Sequence, residues 1–464
     1  SLTPPARPFP HASWESEDLY IEGARYGDFP LLAQALEADD SNDAARSLLG
    51  FRLTLGDNPA YGWRLLQAVD SSRLSPFDHA VHDARLELAK PGAGGATAPA
   101  TTAVSRLHGG FPGRFESELA YAIPFARRGD IRGADRAIRR AITLRPHDPL
   151  PHRVLAEAGL RAGNADVAAQ EFAVADRLAG GDWLSIIGIA STKYTQGFVR
   201  DAFEILSNPF PPRLHTWAVY YKYLLARGNL SLATGDFDGA VAEFTSARDR
   251  AYRAGNREAV LDLSARLVWA NLEAGRIEEA AYEVADLRFE EDTTYFYEAN
   301  PGIVPFLEGV VAAYAGDLGE VAARRLELDT TPGASEALAL IIEGLYYLKR
   351  DSAWEAIPAF RRAGDIMPGP YTRFLLGAAY FESGDASRAW TVLEENVERG
   401  ESLLDSPPVL PYSFLYLAKS LEERGEDHLA AIAYNELYNY RSDLRRPDEP
   451  EKREPPPIPY NDGR

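Results

Sequence analysis

The segment GLYYLKRDSAWEAIPAFRRAGDIMP, residues 344–368, contains a complete helix–turn–helix pattern. Small residues at Gly344 and Ala356 would let two antiparallel helices approach closely. The larger Tyr347 and Phe360 would fill the gap to a neighbouring pair of helices. Pro368 would end the second helix, because proline has no N–H to donate to a carbonyl one turn earlier. The segment therefore predicts a compact pair of helices.

The same pattern recurs along most of the chain. A small or branched anchor residue follows each turn, at nine positions separated by 33 to 41 residues and centred on a spacing of 34: Ala134, Ala168, Ala202, Ala240, Ala280, Val321, Ala356, Ala389 and Ala430. Gly-Asp or a similar pair usually precedes the anchor, supplying a residue that tolerates positive φ and then a helix cap. Nine such sequence repeats indicate an array of stacked helix pairs rather than several unrelated domains.

This pattern resembles the tetratricopeptide repeat (TPR) family over roughly residues 115–445. Two further units carry the matching positions clearly: Leu376, Gly377, Tyr380 and Ala389 in one, and Ala134, Ile138, Ala141 and Pro146 in the other. The resemblance implies a bacterial TPR-containing protein. Its implied fold class is all-α, a right-handed α-solenoid of about nine tetratricopeptide-like helix hairpins.

The rest of the chain is divided by composition. Residues 13–90 show the same pattern of a turn followed by a helix and are predicted to be degenerate helical repeats. Residues 91–110, rich in Gly, Ala, Pro and Thr, are predicted to be a linker. Residues 1–12 and 446–464 form Pro-rich arms, which favour an extended conformation and cannot bury a core by themselves.

Composition excludes several kinds of protein. The chain has 464 residues, 69 acidic against 49 basic side chains, a net charge of −20, one Met and no Cys. The absence of Cys excludes disulfides, thiolate zinc sites and cysteine nucleophiles. The acidic balance argues against binding nucleic acid, and no apolar run reaches the roughly 20 residues of a membrane helix. The lack of Cys and the near lack of Met slightly favour an extracytoplasmic location, periplasmic or extracellular, although the same bias can come from genome composition and a cytoplasmic location also fits.

Signatures of catalysis are missing. The sequence has no Walker-type loop, no Gly-x-Ser-x-Gly elbow and no His-Glu-x-x-His helix. His79 and His82 could share one helix face, flanked by Asp78 and Asp83, but no third metal ligand is suggested. We therefore expect no catalytic residue, no metal and no cofactor. An enzyme with its site within the first 110 residues is the least favoured alternative.

A binding surface is expected where the first helix of each pair lines a concave face. Placing the units in register gives nine candidate partner-binding residues: Arg153, Arg161, Lys222, Asn229, Trp269, Tyr371, Phe374, Phe381 and Lys419. Such a face suits an extended peptide or a partner helix. The alternative is that individual members, such as Trp269 and Phe374, belong to the core between repeats.

Two functional hypotheses remain. The first is a non-catalytic scaffold that binds partner proteins or extended peptides on the solenoid. The second is a structural subunit of a larger or repeating assembly, which includes self-assembly, docking through its ends and Pro-rich arms. The sequence identifies no particular partner.

Overall fold

A computed structural model describes residues 16, 19–20, 29–55, 59–89, 98–181, 183–207, 217–253, 257–289, 302–331, 336–401, 403 and 408–444. These residues contain 23 α-helices and two short 3-10 turns, and no β-strand lies among them. The predicted arms, 1–12 and 446–464, lie outside the described residues, as do residues 290–301, which are rich in acidic and aromatic side chains.

Among the described residues, five helices precede the repeats and nine helix pairs follow. The first five are α1 Phe29–Ala38, α2 Asp43–Leu55, α3 Pro59–Gln67, α4 Pro76–Ala89 and α5 Ala98–Gly110. The pairs are α6 Phe115–Arg127 with α7 Ile131–Leu144, α8 Pro149–Arg161 with α9 Ala165–Ala179, α10 Trp183–Thr195 with α11 Val199–Ser207, α12 Trp217–Ala233 with α13 Phe237–Arg253, α14 Arg257–Glu273 with α15 Ile277–Phe289, α16 Ile303–Ala315 with α17 Leu318–Thr330, α18 Glu336–Lys349 with α19 Ala353–Ile366, α20 Pro370–Glu382 with α21 Ala386–Arg399, and α22 Leu410–Glu423 with α23 Asp427–Tyr440.

All nine predicted anchor residues are buried on the second helices of these pairs, each exposing 2% or less of its surface. The small residues on the first helices make the close approach that the sequence predicted. A Cβ added at Gly344 would overlap the ring of Phe360, and one at Gly228 would overlap Phe244. The all-α solenoid of tetratricopeptide-like helix pairs is thus confirmed by the structure.

The turn within a pair has the expected Gly-Asp chemistry. Gly384 has φ of +83°, a conformation that glycine adopts without the clash a Cβ would cause. The next residue, Asp385, accepts a hydrogen bond from the backbone N–H of Arg388 at 3.0 Å. This carboxylate caps the first turn of α21, so the chain reverses direction in two residues.

The linker prediction for 91–110 was wrong for residues 98–110. Residues 98–110 form α5, whose side chains Ala100, Val104 and Leu107 are at most 1% exposed. Their i, i+4, i+7 spacing places them on one helix face, where they join the buried cluster of α4 and α6. The small-residue composition concealed this apolar stripe. Residues 91–97 lie outside the described residues.

The end of the solenoid returns to its early repeats. The Tyr440 hydroxyl at the end of α23 donates to the backbone oxygen of Tyr194 in α10, at 2.8 Å. Leu403, Leu410 and Tyr440 share one buried hydrophobic cluster with residues of α10 to α14. Contacts between residues more than 200 positions apart therefore close the stack of helix pairs on itself.

Candidate partner-binding surface

Six aromatic rings on the first helices α14, α20 and α22 form what we call the aromatic strip. Its members are Trp269, Tyr371, Phe374, Phe381, Tyr412 and Tyr416. Neighbouring rings lie at centroid distances of 5.6 Å for Trp269–Tyr371, 6.1 Å for Phe374–Tyr412, 5.8 Å for Phe374–Tyr416 and 5.5 Å for Phe381–Tyr416. Most of these contacts are edge to face, the geometry that aromatic pairs prefer.

Charged groups border the strip. The Tyr412 hydroxyl donates to the carboxylate of Glu273. Burial raises the pKa of Glu273, although the hydrogen bond from Tyr412 and the nearby charges of Arg441 and Lys349 oppose this shift. Lys419 Nζ lies 5.3 Å from the centroid of the Tyr416 ring. The strip thus combines broad apolar faces with a few polar groups.

The structure brings together five of the nine predicted residues. Trp269 is buried, with 6% of its surface exposed, and packs edge-on to Tyr371. Tyr371, Phe374, Phe381 and Lys419 are each partly buried. Sequence reasoning missed Tyr412 and Tyr416, which lie four residues apart on α22 and so share one helix face. That spacing was the signal that could have found them.

The other four predicted residues lie on earlier helices. Arg153 and Arg161 are on α8, the first partly buried and the second exposed, and Lys222 is partly buried on α12. Asn229, also on α12, is fully buried. Its amide nitrogen donates to the backbone oxygen of Leu403 at 2.8 Å. Part of this early surface is therefore covered by the chain's own residues.

Side chains of α10 and α12 hold a segment of backbone that lies between α21 and α22. Ser191 Oγ accepts the N–H of Leu403 at 3.2 Å, and Thr195 Oγ1 donates to the backbone oxygen of Glu401 at 2.9 Å. Together with the hydrogen bond from Asn229 to the oxygen of Leu403, these bonds fix both ends of this short segment to first helices. We call residues 401–403 the returning segment. These three hydrogen bonds are made to backbone atoms of the segment.

One carboxylate ties the returning segment to its surroundings. Glu401 is 5% exposed and accepts a hydrogen bond from the Tyr194 hydroxyl at 2.6 Å. It also accepts the N–H groups of Val409 and Leu410, at 2.9 and 3.0 Å, at the start of α22. A negative charge at a helix N-terminus is favourable because it satisfies N–H groups that have no partner within the helix.

The two histidines considered as metal ligands lie in different surroundings. His82 is 5% exposed, and its Nδ1 is 3.2 Å from the Ser47 hydroxyl. Burial, helped by the charge of Arg85, lowers the pKa of His82 to about 4, so the ring is neutral at pH 7. His79 is exposed, with Nε2 3.6 Å from Asp83. In the described ranges, no three His, Asp or Glu side chains gather as a metal site.

No helix within those ranges is both long and apolar enough to cross a bilayer.

Comparisons with known proteins give likenesses of fold. No protein-family model matches the sequence, and no curated protein matches it. Among solved structures, a tetratricopeptide repeat protein from Parabacteroides merdae is 16% identical, with 57% of this chain and 98% of that chain covered and a TM-score of 0.40. The APC/C hetero-tetramer Cut9-Hcn1 is 14% identical over 90% of this chain and 78% of that chain, with a TM-score of 0.45. Yeast Tom70 is 13% identical over 90% of this chain and 88% of that chain, with a TM-score of 0.38. At these levels the likenesses say nothing about what this chain binds.

Proposed function

We propose that this chain, a tetratricopeptide-like repeat protein by its fold, is a non-catalytic scaffold that binds extended segments of partner proteins on its first helices. The observation that carries the proposal is the returning segment. Ser191, Thr195 and Asn229 hold a distant stretch of the same chain's backbone by three hydrogen bonds. First helices of this solenoid therefore hold a chain segment through its backbone, and Tyr194 adds a hydrogen bond to the Glu401 side chain.

The aromatic strip supports the same function further along the solenoid. Aromatic side chains offer a large contact area at a small entropic cost, and they are enriched among residues that dominate binding energy. Phe381 and Lys419 lie at one end of the strip and retain partial exposure. We infer that a partner segment places apolar side chains on these rings, with Lys419 available to an acidic group.

Truncating Phe381 to alanine is expected to weaken partner binding by about tenfold, because its ring supplies an exposed edge of the strip. The intact chain would be used to capture partners from cells of its source, with mass spectrometry of what is retained. The affinity of each recovered partner would then be compared between the wild type and Phe381→Ala. Tyr282→Ala is the matched control, since Tyr282 lies on the second helix α15 and is 72% exposed.

The proposal fails if recovered partners bind Phe381→Ala as tightly as the wild type. It fails equally if Tyr282→Ala causes the same loss. Thermal unfolding of both variants would show whether a loss of binding reflects a loss of folding.

A second function, membership in a larger or repeating assembly, is favoured by α23, the last helix among the described residues. Its Leu429 and Ile432 are 46% and 47% exposed, whereas a repeat whose outer face stays in water is expected to be polar there. We propose docking of this face against another subunit as the alternative. Capture of no partner, together with a monomeric mass in solution, would count against both functions.

The compartment is also a proposal. An extracytoplasmic protein would gain from having no Cys and one Met, since both residue types are readily oxidised there. Fractionation of source cells, followed by detection of the chain in each fraction, would test this location.

A further inference from the structure

A groove lies among the helices α17, α18 and α19, away from the aromatic strip. Its volume is about 700 Å³, within the range of roughly 300–1,000 Å³ typical of ligand-binding clefts. Ala339 and Leu340 on α18 and Ala359 on α19 give it an apolar lining. We call it the second-helix groove, because α17 and α19 are both second helices of their pairs.

The side chains around the groove carry more negative than positive charges. Arg325 is paired with Glu343, with 3.3 Å between Nη2 and Oε2, and Arg362 is paired with Glu336. Two more carboxylates, Asp329 and Glu355, also line the groove. Within the described ranges neither has an ion-pair partner. The groove is therefore net acidic, on a chain whose total charge of −20 adds to its attraction for cations.

Trp354 gives the groove a second feature that attracts cations. Its indole is 68% exposed and lines the groove, and the face of a tryptophan ring is the best side-chain partner for an ammonium or guanidinium group. Pro358 stands inside α19 and has no N–H. The carbonyl of Trp354 therefore lacks the hydrogen bond that residue i+4 normally gives it.

We propose that the second-helix groove is a further docking site, for a partner protein segment with an apolar side chain flanked by Lys or Arg. The apolar side chain lies against Ala339, Leu340 and Ala359. The cations lie over the Trp354 ring and beside Asp329 and Glu355. A phosphate-bearing ligand such as RNA is disfavoured, because its negative charges would face these carboxylates. This site includes part of the first helix α18, but it is separate from the aromatic strip and the returning segment, and it extends the proposed function.

The test uses a fluorescent 14-residue amphipathic peptide with Leu on one face and Lys on the other. Trp354→Ala is expected to weaken its binding about tenfold, since the ring supplies both apolar contact and cation attraction. The double reversal Asp329→Lys with Glu355→Lys is expected to weaken binding at least tenfold. Peptides with Glu in place of Lys, or Ser in place of Leu, should bind poorly, because the first loses the cationic contacts and the second loses the apolar contacts.

Controls separate this site from the overall acidity of the chain. Glu278→Lys with Glu279→Lys changes the net charge equally on another second helix, α15, where both residues are exposed. Tyr282→Ala matches the loss of an exposed aromatic ring. The proposal is overturned if either control weakens binding as much as its test variant, if Trp354→Ala has no effect, or if the Leu/Lys peptide does not bind the wild type.

Discussion

Replacing Phe360 with alanine is expected to destabilise the chain by about 3–5 kcal/mol, the usual cost of emptying a large aromatic site in a core. Phe360 is fully buried in α19, and its ring lies against Gly344 of α18, where a Cβ would overlap it. The two residues fit each other, because the glycine makes the space that the ring fills. Alanine would leave that space empty, and helices held apart by the rest of the repeat could not close it.

Urea unfolding of the wild type and Phe360→Ala would measure this loss, with Tyr282→Ala as the control. Truncation of Tyr282, which is 72% exposed, should change stability by no more than about 0.5 kcal/mol. Hydrogen exchange should locate the damage in α18, α19 and the pairs that contact them, since each repeat contacts mainly its neighbours. Equal losses in the two variants would contradict the close packing of this pair.

Replacing Glu401 with alanine is expected to cost about 3 kcal/mol, because several buried donors lose one charged acceptor. Those donors are the Tyr194 hydroxyl and the N–H groups of Val409 and Leu410. The change should also loosen the returning segment from α10 and α12. Hydrogen exchange at Leu403 and at the start of α22 should therefore increase more than exchange in α6 or α7.

Glu398→Ala is the matched control for this substitution. Glu398 is exposed near the end of α21, three residues before Glu401. Its loss should leave both the stability and the exchange rates close to those of the wild type. If Glu401→Ala behaves like Glu398→Ala, the carboxylate does not hold the returning segment.

The repeat architecture could be predicted because its determinants are local. Gly344, Ala356 and Phe360 lie within 17 residues of sequence, and their spacing determines how two adjacent helices meet. The same reasoning located every buried anchor, and on the first helices it selected Tyr371, Phe374 and Phe381. These three share a face of α20 that continues into the aromatic strip.

Closure of the stack could not be predicted, because it depends on small rotations that accumulate over many helix pairs. No local pattern connects Tyr194 with Glu401, which are 207 residues apart. Asn229 is an example. It was predicted to bind a partner because it lies on a first helix, but in the structure its amide donates a hydrogen bond to the backbone oxygen of Leu403 in the same chain. For α5, composition suggested a linker, although its three buried side chains have helical spacing.

The distance between residues 196 and 439 tests the central claim most directly, namely that helix pairs stack and close on themselves. Gly197 lies against Asn439, with 3.3 Å between a Cβ built on the glycine and Asn439 Nδ2. The chain has no Cys, so Gln196→Cys with Asn439→Cys would accept two spin labels without background labelling. The account predicts one narrow distribution at short distance. An open stack would separate the labels by several tens of Å, because neighbouring helices lie about 8–10 Å apart, and a long or broad distribution would contradict the account.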